Sequence, residues 1–179
     1  YSCIVIHDKK MTGETQALKF VDDRRLKTPP VALMQVKKEI DYMIELVEDN
    51  TRMSFVAIDS RSLEYDEKIR KNEEVIDFTN STLTQFLIKL SANVEESDEK
   101  AIGSYFHVLN DLERVGDHAE NFHEIGVEMI HKDISFSDKA MGGIDLLRQN
   151  IMVMFSISKE AFKNLNKNQL GELTGLEEN

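Results

Sequence analysis

From Leu33 onward, apolar residues recur at three- and four-residue steps in four successive stretches. That spacing stacks side chains on one face of an α-helix and predicts four long amphipathic helices. The first stripe runs Leu33, Val36, Ile40, Met43, Val47, Thr51, Ser54 and Ile58, weakening toward its end. The second is predicted to begin near Arg61, to carry Ile69, Val75, Ile76, Leu83, Leu87 and Leu90, and to end within 91–96. The third holds Tyr105, Leu109, Leu112, Gly116 and Ala119, with Ile130 near its end. The fourth holds Ala140, Ile144, Leu147, Ile151, Met154, Ser158, Ala161 and Leu165, despite Gly142 and Gly143 near its start.

Start signals accompany three of the four. Thr28 before Pro29 and Pro30 predicts an N-cap, because proline in a first turn gives up no hydrogen bond. Ser97 before Asp98 and Glu99, and Ser137 before Asp138, predict two more caps, with acids that match the helix dipole. Residues 1–28 differ: Ser2–His7 is β-branched and strand-like, a polar stretch with Gly13 follows, and the whole reads as an extended arm or linker. Gly171 and Gly175 are expected to loosen the tail. Helices of ~30 residues rise ~45 Å, so short connections imply an all-α, elongated antiparallel helical bundle.

Composition changes the picture in three ways. The 179 residues carry 33 acidic and 22 basic side chains, a net charge of -11, which disfavours nucleic acid and anionic membrane, whose affinity comes from clustered Lys and Arg. The single cysteine, Cys3, excludes an intrachain disulfide framework and a cysteine zinc cluster. No apolar run nears the ~18 residues of a membrane span and no secretory signal is visible; the chain opens on Tyr1, and we expect it to be a fragment of a longer protein.

Polar residues interrupt two of the apolar stripes. On the second helix the steps from Ile69 to Ile76 to Leu83 pass through Glu73 and Asn80, and Asp77 stands four residues after Glu73. A carboxylate on a core-facing stripe is costly unless it is paired or holds a metal. The third helix repeats the spacing with Glu113 and Asp117, flanked by Asn110, Asp111 and Asn121, and spends a helix-weakening glycine, Gly116, between them, which close helix approach would explain. Two Glu-x-x-x-Asp pairs facing each other make an oxygen-rich site suited to Mg²⁺, Ca²⁺, Mn²⁺ or iron. The alternative is a wide polar face on which these acids are solvated or paired with Lys71 and Arg114. Glu120 and His123 form one Glu-x-x-His, the spacing used by di-iron bundle enzymes, but the second helix has no histidine to complete the pattern. A carboxylate-bridged oxidase is therefore a minor alternative, and His118, His123 and His131 are read as solvated or hydrogen-bonded. No phosphate-cradling glycine loop, nucleophile elbow or Cys–His dyad occurs.

The stretch Asn110-Asp111-Leu112-Glu113-Arg114-Val115-Gly116-Asp117-His118-Ala119-Glu120-Asn121 closely resembles the signature helix of PhoU-type proteins, and Lys71–Asp77 resembles the helix before it. Phe20–Leu33 resembles the start of the cytoplasmic C-terminal PhoU-like domain of bacterial Na⁺/phosphate cotransporter family proteins. The resemblance covers roughly residues 20–179. It implies a PhoU-like helical domain over 29–179, with a first three-helix repeat at 31–132 and a partial second repeat at 137–179 at an offset of about 108 residues, Ala32 falling near Ala140 and Phe55 near Phe162. The ending Glu177-Glu178-Asn179 then resembles Glu73-Glu74-Val75. The resemblance further implies a non-enzymatic regulator of phosphate uptake on the cytoplasmic side of the membrane, partnered by a transport domain of the same parent chain or by a transporter. With only part of a second repeat, the apolar face of the fourth helix would be exposed, and we expect a homo-oligomer in which a partner chain covers it. The resemblance also implies a multinuclear metal cluster of iron, zinc, magnesium or another divalent ion, with Glu73, Asp77, Glu113 and Asp117 as ligands and Asn110 and Asp111 as further candidates. A freestanding PhoU-type regulator is the alternative. No anion-binding motif is visible, and the acidic charge would repel phosphate.

Overall fold

The computed structural model describes the backbone of residues 17–174, and the side chains of these other than Ser97 and 165–174. The strand-like reading of Ser2–His7, Gly13, Gly175 and the acidic ending Glu177–Asn179 lie outside the described residues. Within them the chain is helical and contains no strand. A 3-10 turn, Asp23–Lys27, precedes α1 (Pro29–Ser54), a short α2 (Val56–Ser60), α3 (Asp66–Ser91), α4 (Glu96–His131) and α5 (Asp138–Thr174). Gly171 therefore lies within α5, not in a loosened tail. No helix among the described residues is long and apolar enough to cross a membrane.

α1, α3 and α4 bury their stripes against one another. Val36, Ile40, Met43 and Val47 of α1 meet Ile76, Leu83, Leu87 and Leu90 of α3 and Leu109 of α4, all fully buried. Each such side chain contributes ~1.5–3 kcal/mol relative to exposure. α5 lies against this core through Phe162, which packs edge-on to Tyr105 at 6.3 Å, and through Lys159, whose Nζ sits 2.7 Å from Glu48. Its contact face is Ile144, Ile151, Phe155 and Phe162. Leu147 and Met154, expected on that face, are turned outward with Leu146, Val153 and Ile157, because the bundle touches only one edge of the apolar stripe.

The helix limits correct the sequence in four places. The first predicted helix is broken at Phe55, so Ile58 belongs to α2. The hydroxyls of Thr51 and Ser54 donate back to the carbonyls of Val47 and Thr51 at 2.7 and 2.8 Å, a competition with the helix ladder that bends or ends helices. Thr28 occupies the cap position of α1 but does not cap it; its hydroxyl donates to the Arg25 carbonyl at 3.1 Å, which closes the 3-10 turn instead. α3 begins at Asp66 rather than Arg61, because Arg61 takes a left-handed conformation (φ 51°) that ends α2. Ser97 falls inside the first turn of α4: the Glu95 carbonyl accepts the Asp98 and Glu99 amides, so Glu95 is the cap residue and Ser97 is not. The cap at Ser137 holds, with the Ala140 amide donating to its Oγ at 3.3 Å.

One cross-link ties the two turns at this end of the bundle. Asp133 also has positive φ (50°), and Arg61 donates to the Ile134 carbonyl at 2.7 Å and to the Asp133 carboxylate at 2.9 Å.

Candidate functional site

α3 runs antiparallel to α4, and Glu73 sits between them. Its neighbours on the stripe, Ile69 and Ile76, are fully buried, and Glu73 itself is only 7% exposed. One carboxylate oxygen, Oε2, lies 3.5 Å from Nδ2 of Asn50 on α1. That amide is already committed to the Ile69 carbonyl at 3.1 Å, while Asn50 Oδ1 accepts from Asn72 at 2.8 Å. The other oxygen, Oε1, is buried without a hydrogen-bond partner. Burial, then the negative charges of Asp77, Glu120 and Asp117, push the Glu73 carboxyl up to about 7.

Gly116 faces this carboxylate. A methyl group built there would stand 3.4 and 3.5 Å from the two Glu73 oxygens and 3.6 Å from Ile76. Those are ordinary contact distances, so the glycine does not serve the close helix approach expected of it. The close approach occurs ten residues on, where a methyl group at Gly126 would come within 2.5 Å of the Ala57 methyl and 3.0 Å of the α2 backbone.

The sequence-predicted acids divide. Glu73 is buried, and Asp77 and Asp117 are exposed acids that act on it through charge. Glu113 is half-buried and is not among the charges that raise Glu73; Glu120, one turn beyond Gly116, takes that place. Asn110 and Asp111 are exposed. On the α3 stripe the fully buried polar residue is Thr79; Asn80 is half-buried, with its Oδ1 shielded and unbonded. Asn50 and Asn72 were missed. Asn50 continues the Met43–Val47 steps of α1, so the signal that singled out Glu73 was present there too.

A second polar cluster borders the first. His123 on α4 is buried, with Nε2 3.1 Å from the Asp66 carboxylate and Nδ1 shielded and unbonded. Burial, with Arg70 nearby, pushes its imidazole below the usual value. It lines a cavity of about 510 Å³ with Asp66, Ile69, Arg70, Glu120 and Val127. The hydrogen-bonded reading of this histidine is what the geometry shows.

The charged groups acting on Glu73 are all carboxylates, whose oxygens suit a hard divalent cation. Its unbonded Oε1 and the mutual repulsion of four acids are what such an ion would relieve. As the side chains stand, no three His, Cys, Asp or Glu among the described residues converge closely enough to hold a metal.

Comparison with known proteins covers this same region. Residues 40–125, which include α3 and most of α1 and α4, match the family model of the PhoU domain. A phosphate-specific transport system accessory protein PhoU homologue from Aquifex aeolicus (strain VF5) is 28% identical over 94 residues, 51% of this chain and 42% of that protein. A protein of the same description from Synechocystis sp. (strain PCC 6803) is 32% identical over 101 residues, 55% of this chain and 45% of that protein. The match thus spans less than half the length of either relative. No solved structure gives a significant match. The likeness to the PhoU domain thus covers α3 and most of α1 and α4, and Glu73, Asp77, Glu113 and Asp117 all fall within the matched residues.

Proposed function

We propose that this chain is a regulatory domain acting in phosphate transport, and that it signals by contact rather than by catalysis. The observation that carries the reading is the PhoU match over 40–125, the segment that also builds the Glu73 site. Both relatives bear the name of accessory proteins of a phosphate-specific transport system. The Glu-x-x-His pairs Glu120–His123 and Glu128–His131, both on α4, add no reaction to this reading.

The finer form of the proposal is a cytoplasmic domain of a Na⁺/phosphate cotransporter-related protein, partnered by a membrane transport portion. The stretch Phe20–Leu33 supports it, by its resemblance to the start of such domains. In this reading residues 17–28 lead in from the membrane side, and α5 opens a second repeat. Within the domain we propose a divalent cation on Glu73, completed when Asp77, Asp117 and Glu120, which do not converge as the side chains stand, turn toward it. The ion would supply charge neutralisation between α3 and α4.

Phosphate uptake tests the regulatory role. Cells lacking the gene are expected to lose the normal decline of labelled phosphate uptake when external phosphate rises, and re-expression of the parent protein is expected to restore it. Identical uptake curves with and without the gene would count against regulation. Fractionation separates the two forms of the proposal: the native protein sediments with membranes if it is tethered and stays in the supernatant if it is freestanding.

A further inference from the structure

Glu39 is the most deeply buried carboxylate of α1, at 1% exposure, and it faces neither the Glu73 site nor a basic side chain. Both of its oxygens are spent on the N-terminal segment. The backbone amide of Lys19 donates to Oε1 at 3.2 Å and that of Phe20 to Oε2 at 2.7 Å. One turn earlier on α1, Gln35 accepts the Asp22 amide at 3.4 Å. The Lys19 ammonium lies 3.4 Å above the Tyr42 ring. Thus residues 19–22 are held to one helix mainly by their backbone, and the bend at Lys19 and Phe20 is what turns two consecutive amides onto one carboxylate.

The apolar contribution is small. Leu18 and Val21 reach the core only as half-buried side chains, and Phe20 is 42% exposed. A groove of about 620 Å³ stays open between the segment and Phe78, Thr82 and Phe86 of α3. Segments with few buried contacts open locally at far less cost than the whole fold. Here opening has a second enabling feature: the strap itself covers Glu39, so lifting it lets water replace the two lost amide donors. The carboxylate is satisfied in both states, which is what a reversible latch requires.

We propose that residues 17–22 form a releasable strap, and that the face of α1 holding it is a docking site for a bent peptide segment, read through two consecutive backbone N–H groups by Glu39. The occupant is the chain's own segment. The proposal does not depend on the phosphate-transport reading.

Residue-resolved amide hydrogen exchange on the full chain tests it. In the wild type the Lys19 and Phe20 amides are expected to be protected. In Glu39→Leu they are expected to exchange at least about tenfold faster, the loss of ~1.4 kcal/mol of protection, while Leu83 and Leu109 keep their rates. A second variant, Leu18→Asp/Val21→Asp, weakens the strap without touching Glu39. It is expected to bind a labelled synthetic peptide of residues 17–26 added in trans, whereas the wild type, whose groove is filled, binds it at least tenfold more weakly. Adding Glu39→Leu to that variant is expected to abolish binding. Unchanged strap protection in Glu39→Leu would overturn the latch, and so would peptide binding indifferent to Glu39. If Glu39→Leu accelerates exchange everywhere, the peptide titration on the double-aspartate variant decides alone.

Discussion

Replacing Gly126 by alanine is expected to lower stability by about 2–3 kcal/mol, the largest loss of any single methyl added to the described glycines. The methyl would meet the Ala57 methyl at 2.5 Å and the backbone of Ala57 and Ile58 at 3.0 Å. Backbone cannot swing aside as a side chain can, so α2 must separate from α4, an overpacking cost at or above the top of the usual ~1–3 kcal/mol range. Alanine returns ~1 kcal/mol of helix propensity, which offsets part of this. In thermal unfolding the net loss corresponds to roughly 5–10 °C for a chain of this size. The same change at Gly116, where the new contacts are 3.4–3.6 Å, is expected to stay within about 1 kcal/mol of wild type. Equal midpoints for wild type and Gly126→Ala in urea unfolding would show that the α2–α4 approach is looser than described.

The second large effect is a pH dependence with an unusual sign. The Glu73 carboxyl is raised from 4.5 to about 7 in the folded chain. A folded-state value above the unfolded one means that folding favours the protonated form. Glu73 therefore contributes stability that is fully present below about pH 4.5 and is lost as pH rises through about 7. A shift of this size amounts to about 3 kcal/mol. Glu73→Gln removes the titrating group while keeping its shape, so it is expected to be more stable than wild type at pH 8 by an amount of that order, with the difference shrinking toward pH 4.5. His123 works in the opposite direction. Its value is lowered by burial, so its contribution is present above about 6.5 and falls away in acid. Subtracting the Glu73→Gln profile from the wild-type profile isolates Glu73. A difference that does not change with pH would mean that Glu73 carries an ordinary carboxyl. Because a bound cation favours the ionised form, Mg²⁺ or Mn²⁺ is expected to recover part of the wild-type loss at pH 8 and none in Glu73→Gln.

Much of this was legible in the chain because helices announce themselves by period. Ile69, Ile76, Leu83 and Leu90 fall seven apart and are all fully buried. The same periodicity made Glu73 conspicuous, since a carboxylate on that row breaks it. What failed to read was local competition and three-dimensional reach. Thr51 and Ser54 gave the break at Phe55 only a weakened stripe, because their effect depends on which carbonyl each hydroxyl chooses. Gly116 drew notice by sitting among acids, while Gly126 went unnoticed; only the packing of α2 against α4 distinguishes the one that cannot carry a side chain. Glu39 borders the α1 stripe beside Ile40, and nothing in the sequence links it to Lys19 and Phe20, twenty and nineteen residues away. The exchange of Glu113 for Glu120 has the same origin: spacing along α4 places both near one face, and only the register against α3 decides which one Glu73 feels.

The helical core holds a buried, charge-crowded carboxylate at Glu73, and we propose that it takes up a proton or a cation. A ¹³C-carboxyl NMR titration of Glu73 in the cation-free protein measures this directly. We expect a midpoint near pH 7 that moves to lower pH when Mg²⁺ or Mn²⁺ is added. A midpoint near 4.5 that is unmoved by either ion would contradict the claim.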